Sequence, residues 1–402
     1  MPAFEWRGKA ISGEIRNGVI EAPNPQIVEV YLRRLNIIPI KIVPKKESIL
    51  KLRRKRVSDK ELAFFTRQFA TVLEAGLPIV KCLETLSMQQ RNLYFREVIT
   101  EIKRKVEAGS ALSDTLAEYP KIFNSLYVQM VRSGESSGNL DIVLKRLAVY
   151  LEKIVSLKSK IKHAMIYPSV IILVTVVVIA ILMIFVIPKF AELFKEAGQA
   201  LPLPTQILIN ISMNFKTIFL IFLALVIASV LILRQYRKTD RGRYNTDKVL
   251  LKIPLLGDLF HKAAVSRIAR TLANVIGAGV PLLQAIAIAG ETSDNKVLEK
   301  AMEEIRVNVA AGHGIADPMF YTGVFPYLMI EMIRVGEVSG NLEDMLNKIA
   351  DFYEEEVDRM VQTLSTLIEP ILLIVLGVVI GGILVALYLP IFQLGAVVGG
   401  GG

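Results

Sequence analysis

Residues 65–84 read FTRQFATVLEAGLPIVKCLE, and residues 268–287 read IARTLANVIGAGVPLLQAIA. Arg67 falls on Arg270, and Ala75-Gly76-Leu77-Pro78 falls on Ala278-Gly279-Val280-Pro281. Apolar positions fall on apolar positions. Three more pairs follow in the same order. Gly134-Glu135-Ser136-Ser137-Gly138-Asn139-Leu140 recurs as Gly336-Glu337-Val338-Ser339-Gly340-Asn341-Leu342, Tyr167-Pro168 as Glu369-Pro370, and Pro188-Lys189-Phe190 as Pro390-Ile391-Phe392. The offset stays at 202 or 203 from Arg67 to Pro168. The chain is therefore a tandem duplication of a helical domain that ends in a membrane helix. Two long copies exclude a solenoid.

The repeated stretch specifies a helix, a turn and a second helix. Leu62, Phe65, Phe69, Val72 and Leu73 recur at three- and four-residue spacing and form one apolar stripe. Ser58 with Glu61 reads as a capping box at its start. Gly76 takes positive φ past the helix end, and Pro78 opens the next helix where its missing N–H costs nothing. Without Gly-Lys-Ser/Thr, the turn is no phosphate cradle. Further helices are expected over 93–107, 112–118, 123–132 and from Leu140 onward. Gly134 to Asn139 reads as a C-cap, turn and N-cap unit between the last two. Short connections favour an antiparallel bundle of six helices. The second copy repeats the plan, with Gly277 where the first has Glu74.

An apolar fraction of 52% and a mean hydropathy of +0.46 call for membrane spans. Residues 163–188 contain no Asp, Glu, Lys or Arg and are long enough to cross about 30 Å of hydrocarbon. Residues 217–233 form a second span, extended by the snorkelling side chains of Lys216 and Arg234. Pro370 to Leu389 forms the third, in which Gly377 and Gly381 match the spacing of close helix contacts. Lys153, Lys158, Lys160 and Lys162 precede span one; Arg234, Arg237, Lys238, Arg241 and Arg243 follow span two. The positive-inside rule then places residues 1–162 and 235–368 in the cytoplasm, and residues 189–215 and the C-terminus outside. The same rule accounts for the net charge of +10 without nucleic acid, for which no binding module is present.

Expected boundaries follow: an αβ module over 1–50, a basic linker over 51–57 and a first bundle over 58–162. Span one covers 163–188, an outside loop 189–215, span two 216–234 and a basic connector 235–252. A second bundle covers 253–368, span three 369–390 and an uncharged tail 391–402. In the N-terminal module, Phe4–Gly8 and Ile11–Ile15 read as strands around a glycine turn. Pro25–Leu35 reads as a helix with Ile27, Val28, Val30, Tyr31, Leu32 and Leu35 on its apolar side, and Ile37–Val43 as a further strand. Fifty residues bury little surface, so this module is marginal alone. No signal peptide is read in MPAFEWRGKA.

Chemistry is sparse. His163, His261 and His313 lie far apart and outside any metal-ligand spacing. The single cysteine, Cys82, sits in an apolar helical phase and reads as core. Glu135 and Glu337 lie between glycines in the repeated motif. They read as structural acids, accepting backbone N–H bonds or pairing with Arg132 and Arg334; an intersubunit metal or salt contact is the alternative. No nucleophile elbow occurs, and the spans carry no internal charge for a proton or ion path. Two charged runs stand out as contact patches: Arg53-Arg54-Lys55-Arg56, also placed to meet anionic lipid, and Glu354-Glu355-Glu356 with Asp358. A catalytic residue, cofactor or metal is not expected.

The paired patterns at Arg67–Gly76–Pro78 and Arg270–Gly279–Pro281 resemble the inner-membrane platform family of type IV pilus assembly and type II secretion, the PilC/GspF family. So do the motifs at Gly134-Glu135 with Gly138 and at Gly336-Glu337 with Gly340, and the Tyr167-Pro168/Glu369-Pro370 pair. The end, Ala386-Leu387-Tyr388-Leu389-Pro390-Ile391-Phe392-Gln393-Leu394-Gly395, is more similar to the pilus-assembly branch, and Phe4–Ala10 is similar to the family's opening module. The resemblance implies an all-α membrane protein with two tandem cytoplasmic six-helix antiparallel bundles, three transmembrane helices and the small αβ module. It implies a non-enzymatic platform in the bacterial inner membrane that couples a cytoplasmic pilus assembly ATPase to insertion of pilin. The expected partners also include a retraction ATPase, inner-membrane alignment proteins, lipid and further copies of the chain. A type II secretion platform is the near alternative and a membrane transporter the distant one.

Overall fold

The computed structural model describes residues 3–10, 15–44, 56–196 and 202–399. It is predominantly helical, with three long apolar helices and a small N-terminal sheet. The chain separates into two compact units, one of Met1–Val57 with Ser87–Ile99 and one of Ser58–Leu86 with Thr100–Gly402.

In the first unit, β1 (Ala3–Ala10) pairs antiparallel with β2 (Ile15–Glu21) on one edge and β3 (Ile37–Pro44) on the other. Helix α1 (Pro25–Arg34) is capped by Asn24, whose Oδ1 accepts from Ile27 N at 3.0 Å. Val28 and Leu32, one turn apart, join Phe4, Ala22 and Ile37 in the core. Ile27, Val30, Tyr31 and Leu35 are exposed, so the apolar side expected for α1 narrows to the Val28/Leu32 stripe. Strand β2 covers Ile15–Glu21, so the second strand falls later than the expected Ile11–Ile15, of which 11–14 lie outside the described residues.

The first repeat contains α2 (Asp59–Glu74), α3 (Ile79–Gln89), α4 (Leu93–Glu107), α5 (Leu112–Ala117), α6 (Ser125–Ser137) and α7 (Leu140–Ile181). The second contains α12 (Leu256–Gly277), α13 (Leu282–Thr292), α14 (Lys296–Ala310), α15 (Ala316–Thr322), α16 (Tyr327–Ser339) and α17 (Leu342–Gly399). Ser58 caps α2 with the capping box its sequence announces: Ser58 Oγ accepts from Glu61 N and Glu61 Oε2 from Ser58 N. In each repeat the first helix packs along the last, α2 on α7 and α12 on α17.

Several sequence readings change. Spans one and three are not separate helices: α7 and α17 run unbroken from bundle to membrane, and Pro168, Pro370 and Pro390 lie inside them. Residues 189–215 are mostly helical, since α7 continues through a π turn (Leu182–Val186) into α8 (Ile187–Glu196), and α9 (Leu203–Met213) follows. Met183 and Ile187 pack there with Leu208 and Ile209 of α9 and with Ile383, Ala386 and Leu387 of α17. Thr205 Oγ1 donates to Ala386 O and Ser212 Oγ to Met183 O, which satisfies both hydroxyls inside this apolar cluster. The second span is α10 (Phe215–Tyr236), which buries no residue. The basic connector holds a further helix, α11 (Asp240–Leu250), capped by Thr239. Helix α17 continues to Gly399 through most of the expected tail. A Cβ at Gly377 or Gly381 would meet nothing within 4 Å, so their small size serves no helix contact among the described residues.

Candidate functional site

The repeated motifs build the same devices twice. Gly76 and Gly279 have φ of 83° and 82°, the left-handed region in which a Cβ is strained. Gly138 and Gly340 are left-handed C-caps of α6 and α16. Gly134 and Gly336, expected in a turn, are instead helical. A Cβ on Gly134 would lie 3.0 Å from Val143 Cβ and 3.1 Å from Leu140 Cα, so this glycine lets α6 lie close against the start of α7. Asn139 makes no side-chain cap.

The two acids of the motif hold the start of a short helix. Glu135 accepts from Leu112 N at 2.6 Å, Ser113 N at 3.1 Å and Ser113 Oγ at 2.8 Å. Glu337 accepts from Ile315 N and from Ala316 N at 3.2 Å. These N–H groups have no partner within the helix, so the carboxylates satisfy them. Arg132 pairs with Asp114 at 2.8 Å, and Arg334 with Asp317 at 3.1 Å, rather than with the motif's own glutamates. No group of three or more potential metal ligands occurs among the described residues. His261 Nε2 lies 2.7 Å from Val324 O, while His163 and His313 are exposed.

The repeated arginines tie first helix to last. Arg67 grips Glu152 with two hydrogen bonds, 2.7 Å and 2.5 Å. Arg270 binds the equivalent acid, Glu354, at 2.9 Å, together with Asn347 at 2.9 Å and Asp351. The hydrogen bond from Arg67 holds Glu152 below the usual carboxylate range. Burial opposes charge on Asp351, but Arg270 and Lys153 outweigh it and lower its carboxyl too.

The repeats meet along a seam between α7 and α17, which run side by side in the same direction. Arg146 Nη1 reaches Glu343 at 2.6 Å. Lys153 reaches Asp351 at 3.2 Å and Glu354 at 2.8 Å. Lys160 pairs with Asp358 at 2.5 Å, and the Tyr167 hydroxyl donates to Glu369 at 3.2 Å. The α7 members are seven residues apart throughout, the spacing that keeps one helix face on a parallel partner. Gly277 belongs to this seam: a Cβ there would strike both Arg146 Nη1 and Glu343 Oε1. Ser133 of α6 donates to Ala278 O in the second repeat's turn. Beside the ion pairs lies a cavity of about 600 Å³ between α7, α12 and α17, lined by Tyr150, Ile154, Leu259, Arg267 and Val361. Arg267 Nη2 donates to Ser293 O at 2.6 Å, and burial lowers its guanidinium.

The expected acidic patch is thus largely internal. Glu354 and Asp358 hold the seam, and Glu356 is bound by Lys262 at 3.2 Å and Arg359. Glu355 is the exposed member. Of the basic run, Arg53, Arg54 and Lys55 lie outside the described residues, and Arg56 is exposed. The offset between partner residues along the seam runs from 197 to 202, mostly a few residues short of the repeat period, so the repeat alone did not name the partners. The two copies' last helices differ in charge, but that difference did not say that they pair with each other.

Two homologous helical repeats, each feeding a membrane helix and joined by polar side chains, define a duplicated membrane scaffold. The chain belongs to the type II secretion system protein F family: that family's description matches residues 65–188 and again 268–390, and the description of its N-terminal domain matches 1–43. It is 42% identical over 396 residues to type IV pilus assembly protein PilC of Myxococcus xanthus (strain DK1622), covering 97% of this chain and 94% of that one. It is 40% identical over 374 residues to PilC of Pseudomonas aeruginosa PAO1, covering 93% and 100%. A type II secretion system protein F of Vibrio cholerae serotype O1 is 30% identical over 403 residues, covering 98% of each.

Proposed function

We propose that this chain is the non-enzymatic inner-membrane platform of a type IV pilus machine, coupling a cytoplasmic secretion ATPase to the insertion of pilin subunits into the fibre. The observation that carries the reading is the seam. Two bundles rigidly continuous with membrane helices, and pinned to each other from Arg146–Glu343 to Tyr167–Glu369, transmit a push on the cytoplasmic side into the bilayer as one body. Each repeat acts as a six-helix antiparallel bundle within the boundaries 58–162 and 253–368. Both bundles, with the N-terminal module, face the cytoplasm, while α8, α9 and the chain's end face the periplasm. The greater identity to pilus-assembly relatives favours that branch over secretion. The uncharged spans disfavour a transporter.

A docking partner cannot use Glu354, Glu356 or Asp358 without breaking internal pairs. Phe320, Tyr321 and Tyr327 on α15 and α16 are exposed and aromatic, and they are better candidates for a protein contact. Photo-crosslinkers at Tyr321, Tyr327, Arg56 and Glu355 in native membranes test the reading. Capture of a cytoplasmic secretion ATPase and of pilin is expected. Capture of neither, with solute-dependent flux in reconstituted vesicles, overturns it in favour of transport.

A further inference from the structure

Within the bundles the seam joins unlike faces of the two repeats, while at the membrane end the equivalent residues Tyr167 and Glu369 meet each other. The first repeat contributes α6 and α7; the second receives them on α12, its Ala278–Pro281 turn and α17. Such a head-to-tail contact leaves one face of each kind unused: the receiving face of the first repeat and the contributing face of the second. The same turn makes this visible. Val280 is 6% exposed in the second repeat, whereas its equivalent in the first, Leu77, is 37% exposed. Ser133 sits over the second turn, and its equivalent in the other repeat, Val335, is 56% exposed.

We propose that these two free faces bind each other between copies of this chain, so that the bundle part of the seam inside one chain recurs between chains. The equivalent residues match along the bundle end of the seam; the Lys160–Asp358 rung has no charged counterpart, since Gln362 and Ser156 stand there. Ser133 against Ala278 becomes Val335 of one copy against the Ala75–Leu77 turn of the next, an apolar contact in place of a hydrogen bond. Inside the chain, Tyr150 and Arg267 line one cavity, and the charge on Arg267 acts on the Tyr150 hydroxyl. Their equivalents are Phe352, 40% exposed, and Phe64, 60% exposed, an aromatic pair of the kind that anchors interfaces. Arg146 with Glu343 becomes Lys348 with Asp141, still cation and anion. Lys153, set among Asp351, Glu354 and Arg270, becomes Glu355, set among Val149, Glu152 and Arg67. The sign of the contributing residue reverses, and the receiving face changes from net negative to neutral, because Val149 replaces an acid. The exposed Glu355 thereby gains an arginine. This surface does not depend on which machine the platform serves.

Full-length chains carrying Phe64→Cys or Phe352→Cys, with different tags and Cys82→Ala in both, are co-expressed and treated in native membranes with a short bis-maleimide. A mixed-tag dimer is expected, with neither variant crosslinking alone. A chain carrying both cysteines is expected to give longer multimers or a covalently closed ring. In a second arm, Lys348→Asp abolishes the mixed product, and Asp141→Lys on the other chain restores it. Self-crosslinking of either single variant overturns the proposal, because it requires a two-fold face. Absence of the mixed product also overturns it, provided the internal pair Lys153→Cys with Asp351→Cys links in the same membranes. Failure of Asp141→Lys to restore the product removes the charge rung.

Discussion

Gly134 and Gly138 are four residues apart in one motif and do opposite things. Gly138 is left-handed, with open space where its Cβ would be, and Gly134 is helical and crowded. An alanine at Gly134 gains about 1 kcal/mol of helix propensity but forces a methyl against Val143 and Leu140, an overpacking cost of about 1–3 kcal/mol. Crowding therefore wins. Gly134→Ala is expected to lower the thermal midpoint of the purified protein in detergent, and an unchanged or raised midpoint would show that α6 and α7 can move apart. Gly76 and Gly279 make a matched comparison. Valine at either is disfavoured by about 1–2 kcal/mol for its left-handed backbone; the Cβ itself has room at both, in open space at Gly76 and at ordinary contact distance, 3.6 Å, from Ser133 Oγ at Gly279. The glycine pattern was legible as repeated punctuation. Which glycine turns the chain and which admits a neighbouring helix was not, because both roles select the same missing side chain.

At the scale of elements, α7 and α17 carry the structure. Exposed pairs such as Lys153–Asp351 contribute about 0.2–1 kcal/mol each, so the ion ladder fixes register while apolar packing holds the helices together. Leu259, Ala263, Val357 and Val361 supply that packing, with Leu157 and Ile161 of α7 against them. The acids nevertheless give a pH signature. Glu152, Asp351 and Glu356 have folded pKa values below their ordinary ones, Glu356 chiefly through its hydrogen bond from Lys262. Their stabilisation is present above the unfolded carboxylate value of about 4 and is lost as pH falls through the folded values. Melting in detergent is expected to be insensitive to these groups at neutral pH and to fall on acidification below that range. Asp351→Asn should flatten part of the fall; an unaltered acid limb in that variant would remove Arg270 and Lys153 as its cause. The helices themselves were legible from three- and four-residue periodicity, as were β1 and β3, whereas β2 lies beyond the expected Ile11–Ile15. Their continuity through Pro168 and Pro370 was not, because a proline marks a helix start and an interior kink with the same residue.

For the whole molecule, the proposed orientation rests on charge and on the parallel seam together. Helices α7 and α17 enter the bilayer side by side, so both bundles must lie on one face of the membrane. In the proposed orientation, the five cations between Arg234 and Arg243 place α11, and with it the second bundle, on the cytoplasmic side. The connection holding α8 and α9 then lies opposite, where its Lys189 is matched by Glu192 at 3.4 Å. The duplication was readable at this scale because it leaves a constant offset, and the joining of its halves was not, since no residue of one copy names its neighbour in the other. Single cysteines in a Cys82→Ala chain separate the two sides. Met213, exposed at the end of α9, is expected to be labelled as Met213→Cys by a membrane-impermeant maleimide in intact spheroplasts. Arg241→Cys is expected to be labelled only after the membrane is broken. The reverse pattern would invert the topology and put the bundles out of reach of any cytoplasmic ATPase. Labelling of both in intact spheroplasts would mean that α10 does not cross the bilayer at all.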